Sequence, residues 1–189
     1  MLAADIRRCV PGGRLTLAPL LRAVARNWGL QALLAYRFGR ALARAGRRWY
    51  WWPLLPLGWP LYYLLSRYVR CAYDIRLELS ADIGAGLYIG HFGNIIVRNC
   101  RLGTYCSIAQ SVHIEPALAD GSGGPVIGAH VWIGAHARIR GPFEVGSGST
   151  LSAGTVVVRD VPARSLCLGN PGRIVMRGYD NERLLNAAE

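Results

Sequence analysis

The chain has 189 residues, a net charge of +11 and a mean hydropathy of +0.21. About half of it is apolar, which excludes a disordered chain, and its length leaves room for one core domain with an appendage. The charge sits at one end: residues 1–70 hold twelve arginines against the single acid Asp5, whereas residues 71–189 hold ten arginines and ten acids.

Within that basic end, residues 15–48 show helical spacing. Leu20, Leu21, Val24, Trp28, Leu30, Leu33, Leu34, Phe38 and Leu42 form a wide apolar stripe. The Arg-rich stretch Arg40–Arg48 then runs into Trp49–Leu65, which carries no charge, and five of the six tryptophans lie in residues 1–70. Indole and guanidinium groups settle at bilayer interfaces, with arginine drawn to anionic headgroups. The stretch is short for a spanning helix and contains Pro53, Pro56 and Pro60. Residues 1–70 therefore read as a helical membrane-interface segment, lying in or dipping into the cytoplasmic leaflet, with a buried subunit-contact helix as the alternative. The matching expectation is a cytoplasmic protein, peripheral on the inner face of the cell membrane. No cleavable signal pattern opens the chain. The arginines alternate with apolar runs such as Leu30–Ala35 and no nucleic-acid motif occurs, so no nucleic-acid partner is expected. Five cysteines (9, 71, 100, 106, 167) without a CxxC pair read as reduced thiols rather than a disulfide framework or zinc site.

The remainder is dominated by a repeat of six. Ile127, Ile133, Ile139, Val145, Leu151 and Val157 recur at every sixth position. Gly128, Gly134 and Gly146 follow three of them, and small or β-branched residues (Val131, Ala137, Ser149, Thr155) stand four after most. The spacing extends backwards through Leu102, Ile108 and Ile114 and, after a one-residue slip at Arg98–Arg101, through Ile83, Ile89 and Ile95. Six is neither the helical nor the strand period; it marks a hexapeptide β-helix, a triangular prism with one short strand per face and an aliphatic pointing inward. The fold class is thus mainly β, a left-handed parallel β-helix over residues 71–176, preceded by the helical, aromatic and Arg-rich segment. The Pro- and Gly-rich stretch 115–126 reads as a loop leaving the prism. The prism closes around Asp160–Arg173, and Tyr179–Ala188, within the tail 177–189, is expected to form a short helix.

One coil takes three units, about eighteen residues, and coils stack at roughly 4.8 Å. Asp74 and His91, seventeen apart, are expected nearly one above the other. A carboxylate holding one imidazole nitrogen leaves the other free as a general base. Spacing alone also allows a surface histidine beside a turn. His130 and His136 fall on successive faces, which argues against a zinc site, and no metal is expected.

The stretch YDIRLELSADIGAGLYIGHFGNIIV resembles the opening of the serine acetyltransferase-like branch of the hexapeptide acyltransferases. The closing stretch, down to GNPGRIV, is similar to the same superfamily. The resemblance covers about residues 71–176. It implies a catalytic pair of Asp74 and His91, a homotrimer, and acetyl-CoA as donor in a groove between neighbouring prisms. It further implies that Gly134, Ala135, Ala153 and Gly154 line the donor's arm, with Arg159 and Arg173 as candidates for its phosphates.

Departures from the serine-specific pattern bear on the acceptor. Gly90 stands where those enzymes carry an acid, Gly123–Gly124 runs into Pro125 rather than a histidine, and the long acidic N-terminal domain is replaced by the basic segment. The layout looks more like the branch that acetylates sugars of exopolysaccharide or capsule. O-acetylation of a sugar or glycan hydroxyl is therefore the expected activity, with serine O-acetylation and a non-catalytic membrane-tethered trimer as alternatives.

Overall fold

The computed structural model describes residues 1–9, 17–46, 55–118 and 122–186. Among the described residues, four helices precede the prism: α1 (Leu2–Cys9), α2 (Leu17–Arg26), α3 (Trp28–Ala45) and α4 (Leu55–Tyr73). The single stripe expected over residues 15–48 is broken at Asn27. That residue is extended (φ −109°, ψ 102°) and its side chain accepts from the Leu30 N–H, so it caps a second helix. Helix α4 continues through Ser66–Arg70 and ends at Tyr73. Trp49, Trp51, Trp52 and Pro53 lie outside the described residues.

The prism winds through five coils on three faces, here called A, B and C. The first coil is β1 (Ile75–Leu77), β2 (Asp82–Ile83) and β3 (Tyr88–Ile89); the second is β4 (Ile95–Val97), β5 (Arg101–Leu102) and β6 (Ser107–Ile108). The third is β7 (His113–Glu115), β8 (Val126–Ile127) and β9 (Trp132–Ile133), and the fourth β10 (Arg138–Arg140), β11 (Glu144–Val145) and β12 (Thr150–Leu151). The fifth has β13 (Val156–Val157), a single bridge at Val161, and β14 (Ser165–Leu168), which pairs antiparallel with β15 (Arg173–Arg177). A short helix, α5 (Glu182–Asn186), follows. All twelve sixfold aliphatics are buried. Gly103 shows why glycine follows them: a Cβ there would stand 2.5 Å from the Gly128 carbonyl of the next coil.

The slip in the repeat falls elsewhere than the spacing suggests. Val97 stacks between Leu77 and Ile114, whereas Ile95 stacks on Ile75. The sixfold position on face A is therefore Val97, not Ile95. The chain takes eight residues from Ile89 to Val97, two more than the repeat, and five from Val97 to Leu102, one fewer. The expected one-residue slip is the sum of these two departures. The larger one lies at His91–Asn94.

A parallel β-helix exposes a row of backbone groups at its first coil, and such an edge needs cover. The helices supply it. The Arg37 guanidinium donates to the Ile83 carbonyl at 2.6 Å and also to Gly84 O, while Tyr36 Oη donates to Ala81 O at 2.7 Å. Arg40 donates to Leu79 O at 3.1 Å, and Arg8 bonds Gly86 O and Cys106 O at 2.7 and 2.9 Å. Asp5, wholly buried, accepts from Arg37 Nε at 3.0 Å and from the Gly86 N–H at 2.6 Å. Leu33, Tyr36 and Val69 join the same apolar core as the prism residues. Part of the arginine excess read as membrane-seeking is thus spent on carbonyls of the first two coils.

Removing one partner of a buried ion pair leaves an uncompensated charge, at a cost of about 3–5 kcal/mol, whereas exposed pairs contribute under about 1 kcal/mol. Asp5→Ala should accordingly lower unfolding stability in urea far more than Asp82→Ala, whose pair with Arg40 is largely exposed. Equal losses would remove the Asp5–Arg37 pair as the pin of the cap.

Candidate active site

The corner where face C turns into face A carries most of the sequence-predicted site. Asp74, Asn94, Ser111, His136 and Gly154 stack there on successive coils, each with left-handed backbone (φ 49°, 49°, 57°, 62° and 71°). Asp, Asn and His tolerate that region better than most residues. A ladder binds the corner together: the N–H of Gly93 donates to Tyr73 O (2.9 Å), Ser111 to Gly93 O (2.8 Å), His136 to Gln110 O (3.0 Å) and Gly154 to Ala135 O (2.7 Å).

His91 occupies the two-residue excess between β3 and β4. The ladder has no place for the extra residues, so they bulge outward, and His91 and Phe92 are both exposed. Asp74 lies at the same corner on the coil above. It does not stack on His91, however; its carbonyl accepts from the Ile95 N–H at 3.0 Å, which sets it over Asn94. The insertion causes this offset. The Asp74 carboxylate accepts from Arg76 at 3.4 Å, both side chains being about half exposed, and no hydrogen bond joins it to the His91 ring. Asn94, which the sequence did not single out, is 3.1 Å from His113 Nε2 through Oδ1.

The cap borders this corner with aromatic rings. Gly29 packs against Ile89, where a Cβ would stand 2.6 Å away, and this brings Trp28 at the start of α3 beside the bulge. Trp28 meets Phe92 edge-on at 4.7 Å and Tyr73 at 6.3 Å. The Tyr73 hydroxyl is held by Tyr68 Oη and Gln31 Oε1, each at 2.9 Å.

Further down the corner the small residues divide into two kinds. Gly134 is buried and a Cβ there would meet the Ala153 nitrogen at 2.7 Å, so the coil below already requires its missing side chain. Ala153 and Gly154 are exposed, Ala135 is half-buried, and a Cβ on Gly154 would meet nothing within 4 Å. At the C-terminal end Arg159 and Arg173 line one open groove of about 550 Å³ together with Arg177. Arg177 carried no signal in the sequence, because it enters the groove through the antiparallel return of β15.

Other candidates lie apart. His130 sits at the corner between faces B and C, stacked on Tyr105 at 5.5 Å, away from His136. No group of three or more His, Cys, Asp or Glu able to hold a metal occurs among the described residues. The loop 115–126 leaves between faces A and B, and Ala119–Gly121 lie outside the described residues. Burial pushes the Cys106 thiol up to about 11 and that of Cys100 up to about 12, so neither is a thiolate near neutral pH.

Residues 124–159 match the bacterial transferase hexapeptide family, defined by six repeats. The chain is 33% identical over 156 residues to the serine acetyltransferase of Synechococcus elongatus, covering 81% of this chain and 62% of that protein. With the serine acetyltransferase of Escherichia coli it shares 34% identity over 149 residues, 78% of this chain and 50% of that one. The solved serine acetyltransferase of Vibrio cholerae superposes with a TM-score of 0.76 at 28% identity, covering 97% of this chain and 67% of that chain. The chain thus spans between half and about two thirds of the length of these relatives. Prism, helical cap and matched repeats agree: the chain belongs to the hexapeptide-repeat acyltransferase superfamily, in its serine acetyltransferase-like branch.

Proposed function

We propose that the chain is an acetyl-CoA-dependent O-acetyltransferase whose chemistry runs along the C–A corner, in the homotrimer that the family resemblance implies. The observation that carries the reading is the alignment itself. Asp74 and His91 stand on the first two coils, and Ala135, Ala153 and Gly154 follow on the same corner. From the second coil to the fifth is three steps, roughly 14 Å. Coenzyme A suits the residues present: the exposed, uncrowded backbone at Ala153–Gly154 admits a thin chain, and the groove of Arg159, Arg173 and Arg177 suits phosphates.

The donor supplies an activated acyl carbon as a thioester. The chain supplies the base. A ring nitrogen of His91 takes the acceptor's hydroxyl proton as the new C–O bond forms, and returns it to the departing sulfur as the C–S bond breaks. Asp74 acts on the imidazolium from the neighbouring coil. Its exposed pair with Arg76 is of a kind worth little, so the carboxylate is free to turn toward His91. A cysteinyl intermediate is unnecessary, in keeping with the raised thiol pKa values of Cys100 and Cys106.

For the acceptor, the relatives' names favour serine over the glycan suggested by Gly90 and the altered loop. One observation keeps the sugar reading as the second: the exposed Trp28–Phe92 pair beside His91 offers ring faces on which a pyranose packs.

His91→Ala should lower turnover by about a hundredfold or more with assembly unchanged; a near-normal rate would take His91 out of the mechanism. Replacing Arg159, Arg173 and Arg177 by Ala should weaken coenzyme A binding by calorimetry at least tenfold (~1.4 kcal/mol), with a reduced salt dependence. Unchanged affinity would free the groove from that role. A thiol-release assay with free serine against sugar acceptors separates the two readings, since the preferred acceptor alone should raise release above the hydrolytic background.

A further inference from the structure

The outer face of α4 is apolar and has no partner among the described residues. Its inner side, with Tyr62, Val69 and Tyr73, turns toward α3 and β1, while Leu57, Leu61, Tyr63, Leu64, Leu65 and Tyr68 are exposed, Leu57 by 75% and Leu64 by 68%. Leaving such a row of large apolar groups in water is unfavourable, and contiguous patches of this kind mark contact surfaces. The C-terminal half of the same helix carries exposed Arg67 and Arg70. The two chemistries meet in one surface groove of about 530 Å³, lined by Pro60, Tyr63, Leu64, Arg67 and Arg70 among others.

The exposed charge of the cap in residues 1–70 is of one sign. Arg7, Arg22, Arg26, Arg44, Arg67 and Arg70 are exposed, while the one carboxylate of residues 1–70, Asp5, is buried against Arg37. Arg8, Arg37 and Arg40 are held by the prism and are not part of this exterior. We propose that this face docks on an anionic phospholipid surface, the guanidinium groups meeting phosphates and the leucines and tyrosines entering the headgroup–acyl boundary. A second copy of the chain is a poor occupant: a self-complementary contact would set arginine against arginine with no acid to pair. A nucleic acid would satisfy the arginines and leave the leucines in water. No described helix is long and apolar enough to cross a membrane, and the proposed docking lays α4 along the surface.

The test is flotation of the full chain with vesicles of phosphatidylcholine alone, or containing about one third phosphatidylglycerol. Wild-type protein should float with the anionic vesicles and not with the neutral ones, and should be released as salt shortens the Debye length. The double variants Leu61→Glu/Leu64→Glu and Arg67→Ala/Arg70→Ala should each lose at least tenfold in partitioning, with melting temperature and assembly mass unchanged. Absence of wild-type binding would overturn the proposal, as would equal binding to neutral vesicles or undiminished binding by either variant. A fall in assembly mass for Leu61→Glu/Leu64→Glu would assign the face to a second copy. Displacement from vesicles by a short oligonucleotide at lower concentration than by anionic lipid would assign it to nucleic acid. None of these readouts depends on acetyl transfer, so they stand or fall separately from the catalytic reading.

Discussion

The backbone ladder down the C–A corner is the constraint on which the candidate site depends. Each coil hands the next an N–H to carbonyl bond, from Gly93 onto Tyr73 down to Gly154 onto Ala135. Parallel coils in register repeat at a fixed step, so a group placed on one coil acquires a set height above a group on another. Residues far apart in the chain are thereby held along one straight edge. The ladder also sustains the left-handed conformations of Asp74, Asn94, Ser111 and His136, each of which would be costly on its own. Inward aliphatics at every sixth residue keep the coils stacked, and the corner is rigid because the core behind it is full.

Against that regular background, the departure from six at His91–Asn94 is where the candidate site leaves the repeat. Residues that obey the repeat are committed to packing inward or to pairing with the coil above and below. Two residues in excess can do neither. They extrude, and the side chains they carry outward are an imidazole and a phenyl ring. The same displacement shifts Asp74 from above His91 to above Asn94, so acid and imidazole share a corner without a hydrogen bond between them. A bulge that re-aims side chains beside a regular ladder is a recurrent device near functional sites.

The helical cap completes the prism and also shapes the edge that carries the candidate site. Its arginine and tyrosine side chains answer the open carbonyls of the first coil, which would otherwise be an exposed pairing edge. Docking there fixes the start of α3, and with it Trp28 against Phe92. Stability of the first coil and the environment of His91 are therefore coupled through the same helix. The cap faces outward as well, and its outer charge is unbalanced because its one carboxylate is consumed inside.

The sequence by itself determined the architecture. Each inward aliphatic must recur on every coil, so the signal accumulates along the chain and survives interruptions. Other features required the tertiary structure. Counting residues cannot tell an insertion of two followed by a deletion of one from a single slip, since only strand pairing locates each step; hence Val97 rather than Ile95 holds the repeating position on face A, although both are buried. The fate of Arg8, Arg37 and Arg40 was equally hidden, because a guanidinium on a flexible stem finds carbonyls 39 to 98 residues away only after the helix has docked. Arg177 joined Arg159 and Arg173 through an antiparallel return that no repeat encodes. Periodicity is a property of packing and is written locally, whereas the meeting of charged and reactive groups depends on how separately written elements come to rest on one another.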